Sequence, residues 1–264
     1  MATIHDKLAR SLQSTTTRPV LMLGTGVSLL ATQNRESCLT WRGLLENGVH
    51  ACRDLGHGTD EWEAIQTSRI SSADIQQYLE AAEVIVLEIG TGFSYWLQEL
   101  IGVLKPTDDR LTRALLDLDL PIVTTNYDML LEQSAKQIGR SLEAIDWTDS
   151  SKLRAFSNQQ GCEPLVLHLH GCVQWPDPNR IVFSRTSYNS IRSAQHIQAL
   201  FQELVLHRTL VFIGYGEGLC DPHFDQVMAW ASNMLGTRAQ PHFALLREDQ
   251  KEWFRGPSEH SERV

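Results

Sequence analysis

Pro19-Val20-Leu21-Met22-Leu23-Gly24-Thr25-Gly26-Val27-Ser28 carries the first decision about the fold. Its apolar run is of strand length and stops abruptly at Gly24-Thr25-Gly26, which predicts a buried first strand followed by a tight turn. Runs of the same kind return at Pro121–Thr125, Leu165–His168, Thr209–Ile213 and Pro241–Leu246. Helical patterns separate most of them, at Met129–Ile138, Ala194–Leu206 and Asp221–Leu235. Near-continuous apolar strands alternating with helices predict a mainly parallel sheet with helices on both faces. Ligands of such sheets bind beyond the carboxyl ends of the strands.

Between the first two strands the pattern is helical. Ser37 to Thr40 supply a cap before a helix carrying Trp41, Leu44, Leu45 and Val49 at helical spacing. Ile75, Tyr78, Leu79 and Ala82 share one helical face, and Trp96, Leu97, Leu100 and Ile101 share another. We read residues 41–118 as a helical insertion. Val84-Ile85-Val86-Leu87 stays open between strand and helix, because a short apolar run has no diagnostic period. Residues 247–264 read as a polar tail containing Gly256-Pro257. The core domain is accordingly placed at 1–246.

The 264 residues are 42% hydrophobic and 21% charged, enough apolar material for a full core. A formal net charge of −9 with scattered Lys and Arg repels a phosphate backbone, so nucleic acid is not an expected partner. Cys38, Cys52, Cys162, Cys172 and Cys220 contain no C-x-x-C pair, which argues against both a disulfide framework and a four-thiolate zinc site. We expect a reduced, cytoplasmic setting, no membrane segment and no metal.

Four motifs follow predicted strands. Gly24-Thr25-Gly26-Val27-Ser28 lets backbone approach a diphosphate closely and offers amides and the Ser28 hydroxyl as donors, although a glycine turn alone is commoner. It lacks the third glycine of G-x-G-x-x-G, where Leu29 stands. Thr124-Thr125-Asn126-Tyr127-Asp128 places an amide and a carboxylate at a strand end, where they could equally cap the following helix. His168-Leu169-His170-Gly171 puts two imidazoles two residues apart, able to share a face. Gly214-Tyr215-Gly216-Glu217-Gly218-Leu219-Cys220-Asp221-Pro222-His223-Phe224 makes a loop able to wrap a ligand, with Asp221-Pro222 as a helix start.

In this order the motifs resemble the sirtuin superfamily. Gly24 to Ser28 is similar to its GAGxS loop, Thr124 to Asp128 to its TQNxD segment, and His170-Gly171 to its HG pair. The Gly214 loop stands where its GTS segment lies, and Trp41 with Leu44 and Leu45 resembles the W-x-x-L-L helix of bacterial members. The zinc ribbon of sirtuin deacetylases is missing: only Cys172 falls in the corresponding interval. Thr125 replaces the usual Gln. The HLHG and Gly214-loop pattern more closely resembles the sirtuin-like NAD-depleting domains of bacterial anti-phage systems, of which Thoeris effectors are one example.

The resemblance implies a Rossmann-like α/β fold that binds NAD as substrate and hydrolyses its nicotinamide–ribose bond. It implies diphosphate and ribose contacts from Gly24, Thr25, Gly26, Ser28 and Thr125, with Gly214, Tyr215 and Gly216 closing over the adenosine half. Asn126 would hold the attacking water or the carboxamide, Asp128 would favour developing positive charge, and His170 would be the general base. His168 would orient His170. A homo-oligomer or a regulatory partner from a defence system is expected to restrain the activity. The rival readings are a module that binds NAD or ADP-ribose without turnover, a zinc-free protein deacylase, and a scaffold whose glycines serve only as turns.

Overall fold

A computed structural model describes residues 3–14, 19–72, 74–158, 165–175, 177–216 and 241–247. Its strands are β1 (Val20–Leu23), β2 (Ile122–Thr124), β3 (Glu143–Asp146), β4 (Leu165–His168), β5 (Leu210–Ile213) and β6 (Phe243–Leu245). They form one parallel sheet in the order β3-β4-β2-β1-β5-β6. The α-helices among the described residues are α1 (Ile4–Leu12), α2 (Thr25–Ala31), α3 (Trp41–Asp54), α4 (Asp60–Ser71), α5 (Ile75–Ile89), α6 (Phe93–Ile101), α7 (Arg110–Leu116), α8 (Leu130–Gln137), α9 (Ser150–Asn158), α10 (Arg185–Ser193) and α11 (Gln195–His207). The fold is Rossmann-like α/β.

Strand alternation divides the core. Val20, Met22, Val123, Ile145, Leu167 and Phe212 face α9, α10 and α11. Leu21, Leu23, Ile122, Val166 and Val211 face the other way, onto Val27 of α2, Leu115 and Leu116 of α7 and Ala135 of α8. Side chains two apart share a face, so a strand covered on both sides must be apolar throughout, as β1 is. A further core joins α3, α5 and α6 to Phe183, with Tyr127 and Met129 packed against it.

Several details depart from the sequence-based expectation. No separate turn follows β1: Gly24 is the cap residue of α2, and Thr25 and Gly26 already belong to the helix. Val84 to Leu87 lie inside α5, whose cap is Asp74, its side chain accepting from the Gln76 amide. Strand β3 was not anticipated, because Glu143-Ala144-Ile145-Asp146 has only two apolar residues to signal it. The expected helix at Asp221–Leu235, the loop from Glu217 to Phe224, Cys162, Cys220 and the tail from residue 248 onward lie outside the described residues.

Candidate functional site

The carboxyl ends of the strands are level. Leu23 pairs with Thr124 and with Ile213, and Thr124 pairs with His168. The four motifs therefore emerge from four adjacent strands, β4-β2-β1-β5, at one height. Strand order reverses at β1, whose neighbours are β2 and β5, and such a switch point is where open α/β sheets bind ligands.

At that switch point the two glycine loops meet each other. The Gly24 amide donates to Ile213 O at 2.9 Å and the Gly26 amide to Gly214 O at 2.7 Å. A Cβ on Gly24 or on Gly26 would lie 2.8 Å from Gly214 O, so both positions exclude any side chain. This corrects the expectation that these amides stand open for a diphosphate: the glycines are required here by backbone-to-backbone packing. Tyr215 is buried with its ring edge-on to Phe212 at 5.5 Å, within the core on the α11 side of the sheet. Its ring is therefore part of that core, where the sequence reading had it cover an adenosine. Thr125, half-buried, donates its amide to Leu23 O at 3.4 Å.

Ser28, Asn126 and Asp128 are brought into one buried network although about a hundred residues separate the first from the others. Ser28 Oγ donates to Asp128 Oδ2 at 2.7 Å. Asn126 Nδ2 donates to Ser28 Oγ at 2.8 Å and to Gly24 O at 3.1 Å. A carbonyl only accepts, so the Gly24 contact fixes which end of the Asn126 amide is nitrogen. Both Nδ2 hydrogens are thus committed, and Asn126 Oδ1 is buried with no hydrogen-bond partner. Asp128 Oδ1 accepts from the Leu130 amide at 3.0 Å, so it also satisfies the first amide of α8. Burial raises the Asp128 pKa against the opposing Ser28 and Leu130 hydrogen bonds.

The two histidines part company. His168 Nδ1 lies 2.9 Å from Asn126 O and Nε2 lies 2.7 Å from Glu132 Oε1. With both nitrogens taken, His168 is not the residue that orients His170, contrary to the sequence reading. His170 lies past the strand end. Its ring sits edge-on to Tyr188 at 5.1 Å and near Tyr127 at 6.5 Å, and the Val182 amide donates to its carbonyl at 2.9 Å. Burial alone lowers its pKa to about 3, so the ring is neutral at physiological pH. Gly171 has φ +76°, and a Cβ there would lie 2.2 Å from Arg180 O. Only glycine fits after His170.

Sequence reasoning missed Glu132 and Tyr188. Glu132 stands in the first turn of α8, and an acidic residue so soon after the Asn126–Asp128 motif could have exposed it. Nothing in the sequence ties Tyr188 to His170. The cavity bordered by Leu23, Ser28, Thr112, Asn126, Asp128 and His168 measures about 10 Å³. That is room for roughly one water, whereas small-molecule pockets span ~300–1,000 Å³. Among the described residues, no three His, Cys, Asp or Glu side chains are grouped to hold a metal, and no helix is long and apolar enough to cross a membrane.

Residues 121–263 match the family described as SIR2-like domain. The match takes in Asn126, Asp128, His170 and Gly214, while β1 and Ser28 precede it. It supports an NAD-linked function. Covering just over half of the sequence, on a parallel sheet whose carboxyl edge collects these residues, it means that the chain belongs to the SIR2-like domain family.

Proposed function

We propose that this protein hydrolyses NAD, releasing nicotinamide and ADP-ribose. The observation that carries the reading is the buried Ser28–Asn126–Asp128 network with one free acceptor. The neutral His170 imidazole follows the neighbouring strand β4, with its ring 6.5 Å from that of Tyr127, the residue between Asn126 and Asp128.

In the reaction the C1′–N1 bond breaks, its electron pair stays on the departing pyridine nitrogen, and a water oxygen bonds to C1′. The leaving group is neutral and the sugar gains positive charge, so the site must stabilise a cation. Asp128 and Glu132 supply two carboxylates against the single imidazole of His168 beside them. A pyridinium nearby favours the ionised form of Asp128, countering the effect of burial. Asn126 presents only Oδ1, and so serves as an acceptor: for a proton of the attacking water or for the N–H of the carboxamide. His170 takes the water's second proton. At a pKa of about 3 the enclosed ring is a weak base. Admitting the nucleotide displaces its packing, rehydrates it and returns the pKa toward the ordinary histidine value.

The closed packing also motivates the regulatory half of the proposal. Asn126, Asp128 and His170 are all buried, and the adjoining cavity is a water's size. For a nucleotide to touch these buried groups the packing around them must open, a step that self-assembly or a regulatory protein can drive. The cellular role we propose, NAD depletion during anti-phage defence, rests on the motif resemblance. The same closed packing favours a second reading, an NAD or ADP-ribose sensor without turnover.

Nicotinamide release measured at low and high protein concentration tests both. Turnover that rises steeply with concentration is the expected result. Calorimetric NAD binding without nicotinamide release, at every concentration and with every partner tried, selects the sensor.

A further inference from the structure

We propose that Glu132 and His168 are positioning residues: Glu132 holds the His168 ring, the ring holds the main-chain carbonyl of Asn126, and this clamp fixes the aim of Asn126 Oδ1. The inference rests on the NAD-cleaving reading for its kinetic part and on geometry alone for the clamp.

His168 is 1% exposed and ends β4 level with Thr124, one strand away from the loop that carries Asn126. Asn126 O can only accept, so His168 Nδ1 must carry hydrogen across the 2.9 Å contact. One further proton then lies between Nε2 and Glu132 Oε1, 2.7 Å apart. The ring's orientation is thereby fixed from both ends, as a histidine with a carboxylate behind it is fixed in many proton-handling sites.

Asn126 is consequently gripped at each of its other polar atoms. Its amide donates to Thr124 Oγ1 at 3.1 Å, its carbonyl accepts from His168, and its Nδ2 donates to Gly24 O and Ser28 Oγ. Oδ1 is left over. Thr124 Oγ1 in turn donates to Leu23 O at 2.8 Å, anchoring the arrangement to β1.

Stability does not account for this pair. Glu132 Oε2 is buried without a hydrogen-bond partner, which is costly, and buried ion pairs seldom outperform apolar residues of the same shape. A tether between α8 and β4 could be made of leucines. A tether that also donates a hydrogen bond to the Asn126 carbonyl could not. Burial opposes charge on His168, but the Glu132 carboxylate, its hydrogen bond and the Asn126 carbonyl outweigh it and raise the pKa.

The test uses the full chain with Glu132→Gln and His168→Asn, both near in shape. Nitrogen-15 NMR of the wild-type imidazoles should show His168 with hydrogen on Nδ1. In Glu132→Gln the ring should become neutral, with its hydrogen remaining on Nδ1. In nicotinamide-release assays both variants should lose ten- to a hundred-fold in kcat with KM within twofold, and thermal melting should show them folded. Restoring a carboxylate with Glu132→Asp should recover part of the loss. Hydrogen on Nε2 alone in the wild-type protein overturns the clamp. So do variants that melt earlier yet keep kcat, since that is the behaviour of a plain structural pair. If wild-type protein leaves NAD intact, the proposed function fails by itself, and the NMR result still decides the clamp.

Discussion

Replacing Asn126 with alanine removes a donor that Ser28 Oγ and Gly24 O share, along with the free Oδ1. We expect nicotinamide release to fall by about 100-fold or more, the usual cost of losing an oriented polar group at a reacting centre. Asp128→Asn should separate function from stability. Burial raises the Asp128 pKa, so the folded state binds that proton more tightly than the unfolded chain, and ionised Asp128 at neutral pH costs stability. The neutral variant removes the buried charge but keeps one acceptor oxygen where Ser28 and Leu130 use two, so it should stay folded while losing turnover; turnover intact would contradict the assignment. Gly171→Ala must place a side chain at φ +76° and 2.2 Å from Arg180 O, and should destabilise by roughly 2 kcal/mol or more, measured by urea unfolding. The residues themselves were legible at strand ends, where polar types follow apolar runs. Their partnerships were not. The bond from Ser28 to Asp128 spans a hundred positions of sequence, and nothing local in either segment encodes it.

At the scale of elements, the approach of the loop after β1 to the loop after β5 decides the roles of the glycines. The Gly26 amide is bonded to Gly214 O, so its hydrogen should exchange slowly with solvent; exchange at the rate of an unstructured peptide would mean that the loops stand apart. Gly26→Ala, with a Cβ 2.8 Å from Gly214 backbone atoms, should cost about 1–3 kcal/mol in urea unfolding. The strands β1, β2, β4 and β5 were readable because burial on both faces leaves a continuous apolar run, and edge strand β6 because its residues are apolar although Leu245 is exposed. Edge strand β3 and helix α10 were not: the first is too short to show a period, and the second is mostly polar. The run Val84 to Leu87 became helix because its neighbours from Ile75 onward set a helical face that buries Tyr78, Leu79, Ala82 and Ile85.

For the whole molecule, two buried histidines among the described residues contribute to the acid side of the stability curve. An unfolded histidine titrates near pH 6.5, whereas burial holds His170 at about 3 and His242 at about 4. His242 Nδ1 accepts from the Leu210 amide at 3.1 Å, which also requires a neutral ring. Between those values and 6.5 the unfolded chain binds protons that the folded protein does not. The contribution of these two groups is therefore full above pH 6.5 and falls as pH drops, by about 1.4 kcal/mol per pH unit for each. The raised Asp128 pKa offsets part of this slope at its lower end, and the raised His168 pKa withdraws stability only as pH climbs through a value above 6.5. His242→Asn keeps an acceptor for Leu210 and should flatten the slope between pH 6.5 and 5; an unchanged slope would show that His242 does not titrate there.

Asn126, Asp128 and His170 are all buried at the carboxyl edge of the sheet, so the proposed chemistry is tested by offering the protein NAD at concentrations that favour assembly. The decisive measurement is release of nicotinamide from NAD by wild-type protein at high concentration, beside Asn126→Ala and His170→Ala. The account predicts release by wild type and a loss of about 100-fold or more in each variant. Intact NAD in the wild-type reaction, or full turnover by both variants, would contradict it.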